Sequence, residues 1–173
     1  TGIAGKKNFT VIFLEKSLMN AEIGFTYRVL AVFLKHGISF EHIPTGIDTM
    51  SFVVDSDLLK NGVLEEVCAE IEENVHPDNL RVITDIALIA VVGHGMAKSV
   101  GTSARLFEAI ARAGVNVRMI DQGSSELNII VGVDNENYER TLKAVYEEFS
   151  TEGFFFCPPY LRRAFFCRAA CRT

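Results

Sequence analysis

The sequence has no tryptophan, and its 173 residues include only four prolines, four cysteines and four histidines. It also lacks any apolar run near the roughly 20 residues that a bilayer-spanning helix needs. The N-terminal stretch TGIAGKKNF has none of the apolar core of a secretion signal. A cytoplasmic chain that neither spans nor coats a membrane is expected. Cys68 stands alone in a helical pattern, where a buried apolar side chain is the ordinary role. Cys157, Cys167 and Cys171 form no CxxC pair, so neither a zinc ribbon nor a disulfide framework is indicated. His36, His42, His76 and His94 are scattered over separate predicted elements without ligand spacing, which gives no metal centre. No grouping of Ser, Cys and His offers a nucleophile with its base, and nothing in the chain looks catalytic.

What is present is core material: 49% of the residues are hydrophobic, enough for one domain of ordinary size or two small ones. The net charge of −5 is unevenly spread. Residues 153–173 hold Arg162, Arg163, Arg168 and Arg172 and no acid, which leaves 13 bases against 22 acids in residues 1–152. An acidic body speaks against a nucleic-acid surface. The stretch EEVCAEIEEN reads as a solvated acidic helix face.

Displaced by 77 positions, the sequence aligns with itself. Met19 falls on Met96, Gly24 on Gly101, Arg28 on Arg105, Gly37 on Gly114, Ile43 on Ile120, Gly46 on Gly123 and Asp57 on Asp134, with no gap from Phe9 to Asp57. Self-similarity at a fixed offset marks a duplicated folding unit. In each copy a short apolar strand (FTVIFL, ALIAVVG) leads through a loop to a helix (GFTYRVLAVFLKHG, GTSARLFEAIARAG). Val29, Leu30 and Phe33 recur at helical spacing in the first helix, as do Leu106, Phe107 and Ile110 in its repeat. Gly37 and Gly114 stand where a left-handed cap is wanted. ISFEHI or VNVRMI follows, then a turn through Gly46 or Gly123, then the strands SFVVD and NIIVGV. A second helix closes each copy, with Val63, Val67 and Ile71 on one face in the first and Leu142, Val145 and Phe149 in the second. A fourth strand would complete a split β-α-β sandwich. TGIA before Phe9 and LRVIT before Ala87 are the available segments, so the expected unit is ββαββα, with the strand preceding each copy.

The glycines and Lys98-Ser99 of VVGHGMAKSVGTSARL suggest a phosphate loop. Such a loop needs glycine directly before its lysine, and Ala97 stands there instead. Both copies keep a loop of about nine residues leading to a helix that opens at Gly24 or Gly101. The unsatisfied amides of a helix N-terminus suit a small anion such as a carboxylate. Glu41 and Asp48 in the first copy could receive an ammonium group, or could simply be solvated. Arg118 stands at the position matching Glu41 in the second copy, so two sites would not be equivalent.

The stretches LMNAEIGFTYRVLAVFLKHGISFEHIPTGIDTMSFVV and VVGHGMAKSVGTSARLFEAIARAGVNVRMIDQGSSELNIIVGV closely resemble the paired ACT domains at the C-terminus of aspartate kinase, over about residues 2–149. SFEHIPTGID resembles the lysine-sensitive monofunctional type. The resemblance implies an α+β fold of two tandem ferredoxin-like ACT domains, 1–77 and 78–150, with antiparallel sheets and helices on one face. It implies feedback control of the first step of lysine-pathway biosynthesis, the phosphorylation of L-aspartate by ATP. The Lys-Phe-Gly-Gly signature of the kinase domain is absent, so the chain is expected to be inactive alone and to need no cofactor of its own. ATP and magnesium would belong to the kinase domain, which is itself an implied partner.

In lysine-sensitive relatives the effector sits where two first ACT domains pair across a homodimer. Carried over by position, Met19, Gly24, Phe25 and Thr26 would take the carboxylate, and Phe40 and Glu41 the α-amino group. Thr45, Gly46 and Asp48 would lie near the far end, with Asp48 facing the ε-ammonium. Glu41 replaces the family's usual aspartate, which leaves lysine, threonine or both as effector. The glycine-rich loop of the second copy would serve packing between domains. After Phe149 the resemblance stops: residues 151–173 are aromatic, basic and cysteine-rich, which suggests a segment foreign to the family or, alternatively, a partner-binding or membrane-surface extension. Two rival readings remain, a free-standing ACT-type sensor and a ligand-free dimerisation module.

Overall fold

A computed structural model describes residues 2–150 apart from 94, 95, 97 and 98. The expectations for the tail at 151–173, and for Gly95 and Lys98, lie outside the described residues. In chain order the elements are β1 (Gly2–Glu15), α1 (Phe25–Lys35), β2 (Thr49–Asp55), α2 (Val63–Val75), β3 (Asn79–Val92), α3 (Thr102–Arg112), β4 (Met119–Asp121), β5 (Asn128–Asp134) and α4 (Tyr138–Ser150). They form two compact units. One is Asn8–Asp85; the other joins the segment ending at Lys7 to the segment beginning at Ile86.

In the first unit, β1 pairs antiparallel with β2, from Phe9 opposite Asp55 to Glu15 opposite Thr49. The beginning of β3 lies on the other side of β1, where Asp78 N–H donates to the Glu15 carbonyl at 2.8 Å. Beyond β2, residues 42–45 add isolated bridges, His42 to Val53 and Thr45 to Met50. Alternate strand residues Ile12, Leu14, Phe52 and Val54 point into a core closed by Val29 and Phe33 of α1 and Val67, Ile71 and Val75 of α2. The expected strand ISFEHI is reduced to these bridges. Pro44, directly after the segment and between the two bridged residues, has no N–H to donate, which interrupts a ladder.

The second unit repeats the plan with the order β1-β3-β5-β4. Ile86 to Val92 of β3 pair with Asp134 to Asn128, and Met119 of β4 faces Gly132. Its core sets Ala87, Ile89, Val91, Ile129, Val131 and Val133 against Leu106 and Ile110 of α3 and Val145 and Phe149 of α4. The expected strand VNVRMI is formed only at Met119–Asp121.

The second unit is thus a four-stranded antiparallel sheet under two helices, and the first has three strands with the bridged residues 42–45 at the edge in the place of β4; both follow the ferredoxin-like α+β plan expected. The fourth strand, however, is exchanged between the repeats. Residues 79–85 complete the first copy from behind, giving βαββαβ, and residues 2–7 complete the second copy from the front, giving ββαββα. The units therefore divide the chain differently from the expected 1–77 and 78–150. Asn8 (φ 68°) and Asp85 (φ 60°) mark the changes of unit within β1 and β3; Asn and Asp are the non-glycine residues that tolerate this left-handed backbone best.

The repeat offset also changes along the chain. It is 77 through the first helices, but Phe9 opposes Asp55 whereas Ile86 opposes Asp134. Asp55, not Asp57, is therefore the counterpart of Asp134, and the ungapped alignment to Asp57 is corrected by two extra residues in the loop before β5.

Candidate functional site

The loop between β1 and α1 is the part of the first unit from which the expected ligand residues are built. Lys16 N–H donates to the Asp48 carbonyl at 2.9 Å, which ties the loop to the 46–48 turn. Met19 then opens a single 3-10 turn, Met19–Ala21, with its side chain buried. Gly24 enters α1 at φ +81°, a left-handed conformation that a side chain would disfavour. Phe25 plants its ring in the core while Thr26 beside it is exposed. In the turn, Gly46 N–H donates to the Thr49 carbonyl at 2.7 Å, and a Cβ on Gly46 would stand 2.6 Å from Thr49 Oγ1. Thr45, Gly46 and Asp48 are exposed. Met19, Gly24, Phe25, Thr26, Thr45, Gly46 and Asp48 thus gather at the end of the sheet from which α1 starts.

Phe40 and Glu41 are placed differently. Phe40 stands edge-on to Phe33 and Phe52, with ring centroids 6.2 and 6.0 Å away, and Phe33 stacks on Phe52 at 4.7 Å. This fixes Phe40 beside the third turn of α1, about 12 Å along the helix from its N-terminus at 1.5 Å per residue. Glu41 N–H donates to the Val53 carbonyl at 2.8 Å, and its side chain is half-buried. Within one chain, then, the nine expected residues form two groups.

Lys16, Glu22, Arg28 and Asp78, not expected from the sequence as site residues, hold the loop. Ser17 N–H donates to Asp78 Oδ2 at 2.7 Å; that bond and the Ser17 hydroxyl hold the Asp78 carboxyl below its ordinary range. Lys16 Nζ donates to the His76 carbonyl at 2.9 Å and lies 3.7 Å from the Glu22 carboxylate. Glu22 in turn is paired with Arg28 on the first turn of α1. The sequence signal available was the repeat itself, which aligns Arg28 with Arg105. Around this end of the unit Leu18, Ile23, Tyr27 and Ile47 are each more than 70% exposed, a concentration of large apolar side chains unusual on a monomer surface.

Among the described residues no three His, Cys, Asp or Glu side chains gather as a metal site, and no helix is long and apolar enough to cross a membrane. In the second unit an open groove of about 460 Å³ runs between α3 and α4, lined by Ala109, Arg112, Lys143 and Glu148 among others. Most of its charges are paired: Arg112 contacts Glu148 at 2.5 Å and Glu108 at 2.9 Å, Lys143 lies 3.8 Å from Glu147, and Arg140 donates to Asn137 Oδ1.

Comparison with known proteins converges on one family. Residues 89–149 match the ACT domain model. Aspartokinase 3 of Bacillus subtilis is 40% identical over 148 residues, 86% of this chain and 33% of that protein. Clostridium acetobutylicum aspartate kinase superposes with a TM-score of 0.83 at 45% identity, over 87% of this chain and 34% of that one. The regulatory subunit of aspartate kinase from Thermus flavus gives 0.71 at 26% identity, over 86% and 97%. E. coli aspartokinase III, in a complex with lysine and aspartate, gives 0.67 at 25% identity, over 85% and 32%. The chain spans about a third of the curated relative and nearly all of the Thermus subunit. Two ferredoxin-like units, an ACT domain match in the second and aspartokinase relatives along both place this chain in the ACT-domain family, as a regulatory region of the aspartokinase type.

Proposed function

We propose that this chain senses an end-product amino acid, L-lysine first, and passes its occupancy to an aspartokinase catalytic domain as feedback inhibition. The observation that carries the reading is the bond from Lys16 N–H to the Asp48 carbonyl. It brings an acidic turn beside the N-terminus of α1. A helix N-terminus attracts a carboxylate, and Asp48 offers an anionic partner to a cationic side chain.

Phe40 and Glu41 lie too far along α1 to close on the same small ligand in the same protomer. A second copy would supply them, paired through the edge at 42–45 and the exposed Leu18, Ile23, Tyr27 and Ile47. The effector then sits between two first units, with Met19, Gly24, Phe25, Thr26, Thr45, Gly46 and Asp48 from one protomer and Phe40 and Glu41 from its partner. E. coli aspartokinase III, a relative of this chain, has been solved with lysine bound. Binding across such an interface favours one subunit arrangement only to the extent that the ligand binds it better than the other.

Calorimetry with L-lysine and with L-threonine tests the reading. The Glu41→Ala variant is expected to weaken lysine binding by about tenfold, since a charged partner of an ammonium group is lost. Unchanged affinity removes Glu41 from the site. A folded dimer that binds neither amino acid favours the ligand-free dimerisation module, and binding without any effect on an aspartokinase catalytic domain favours the free-standing sensor.

A further inference from the structure

Arg28 and Arg105 occupy the same place in the two repeats, and their backbones agree. Each follows a left-handed glycine by four residues, Gly24 at φ +81° and Gly101 at φ +90°. Each donates its N–H to that glycine's carbonyl at 3.0 Å. Their side chains go to different places. Arg105 turns to α4, where Nε meets Glu148 Oε1 at 3.0 Å, Nη2 meets the Glu148 carbonyl at 3.0 Å, and the guanidinium covers the Phe149 ring at 5.0 Å. Arg28 turns back to its own loop, pairing with Glu22 and reaching the Ile23 carbonyl.

The sequence explains the divergence by two exchanges. At the offset of 77, Glu22 of the first loop corresponds to Ser99 of the second, so Arg105 has no carboxylate in its loop. The buried positions Val67, Ile71 and Val75 on α2 match Thr141, Val145 and Phe149 on α4, an offset of 74. Asn74 then stands where Glu148 does, so α2 offers Arg28 no carboxylate at the position that Glu148 holds on α4. The arginine's partner has moved from the second helix in one copy to the loop in the other. In the second unit the arginine fastens two helices together. In the first it fastens the entry to α1, and Glu22 also reaches Lys16 at the loop's beginning.

We infer that Glu22 and Arg28 form a clamp that positions loop 16–24 for effector binding, and that this clamp is why the first unit senses while the second is structural. The inference rests on the proposed lysine site. Neither residue contacts the effector in this scheme; both act by holding the amides of the loop and the first turn of α1 in place. Side chains about a third exposed, as these are, form a pair that yields to solvent when the loop opens.

The test uses the 173-residue chain, L-lysine as probe, and amide hydrogen exchange over residues 17–26. Glu22→Ser, which installs the residue of the second copy, is expected to weaken lysine binding about fivefold and to speed exchange over 17–26, since ordering the loop is then charged to binding. Glu22→Asp, which keeps the carboxylate, is expected to retain most of the affinity. Arg105→Ala is expected to lower the melting temperature while leaving lysine affinity and exchange over 17–26 unchanged. The inference is overturned if Glu22→Ser matches the wild type in both affinity and exchange, if Glu22→Asp is as weak as Glu22→Ser, or if Arg105→Ala weakens lysine binding equally. Should the wild-type chain not bind lysine, the sensing proposal fails, and exchange over 17–26 in Glu22→Ser still decides whether the clamp holds the loop.

Discussion

Replacing Gly24 by alanine separates loop conformation from packing, with the repeat as its own control. Gly24 has φ +81° and Gly101 φ +90°. A Cβ built on Gly24 meets nothing closer than Arg28 Nη1 at 3.8 Å, and one on Gly101 meets nothing within 4 Å. There is no steric clash with neighbours in either case, so the cost is that of holding an L-residue in the left-handed region, about 1–2 kcal/mol. For a chain of this size each kcal/mol lowers the melting temperature by about 2–4 °C. Gly24→Ala and Gly101→Ala should therefore lose similar stability in denaturant titrations and thermal scans. Their effects on L-lysine affinity should differ: Gly24→Ala tilts the entry to α1 within the proposed site and weakens binding, whereas Gly101→Ala leaves it unchanged. A loss well above 3 kcal/mol for Gly24→Ala would refute the claim that only the backbone angle is at stake. No loss at either glycine would refute the left-handed assignment.

Phe52→Ala removes a fully buried ring stacked on Phe33 and braced by Phe40; a cost of about 3–5 kcal/mol is expected, visible as loss of exchange protection concentrated in the Asn8–Asp85 unit. Glu148 is held below its ordinary value of 4.5 by hydrogen bonds from Arg105 and then Arg112. Because the folded form has the lower pKa, this carboxylate contributes stability above pH 4.5 that is lost as pH falls through the folded value. Glu148→Gln should flatten the decline in stability on acidification below pH 4.5, measured by denaturant titration against pH. Burial and then the neighbouring Glu72 and Glu65 push the Cys68 thiol up to about 11, so in the folded chain it should react with iodoacetamide at pH 8 far more slowly than in the denatured chain, and equal rates would contradict its burial.

The helices were legible because their signals are local. Val29 and Phe33, repeated by Leu106 and Ile110, set the buried stripe, and Gly37 and Gly114 end the helices at φ +65° and +66° as their positions require. The loop and turn residues of the candidate site were legible through the repeat and through resemblance to the family. Residues 38–43 and 115–120 read as full strands because alternation of apolar and polar residues marks which face is buried and not how far the backbone reaches a neighbouring strand. The clamp around the loop escaped notice because Lys16, Glu22, Arg28 and Asp78 are ordinary charged residues whose roles depend on which neighbour each can reach.

The sequence by itself determined that the chain is a duplicated α+β unit, which residues form each core, and where each first helix begins and ends. These follow from periodicity and from glycines that only certain backbone angles need. The tertiary structure alone decided that residues 2–7 serve the second copy and residues 79–85 the first. A strand's pattern specifies which face is buried, while the sheet it joins is decided by which neighbouring strand its N–H and C=O groups meet in space. The same holds for Arg28 and Arg105, alike in sequence and backbone. One side chain went to its loop and the other to α4 because the nearest carboxylate stood in a different place in each copy.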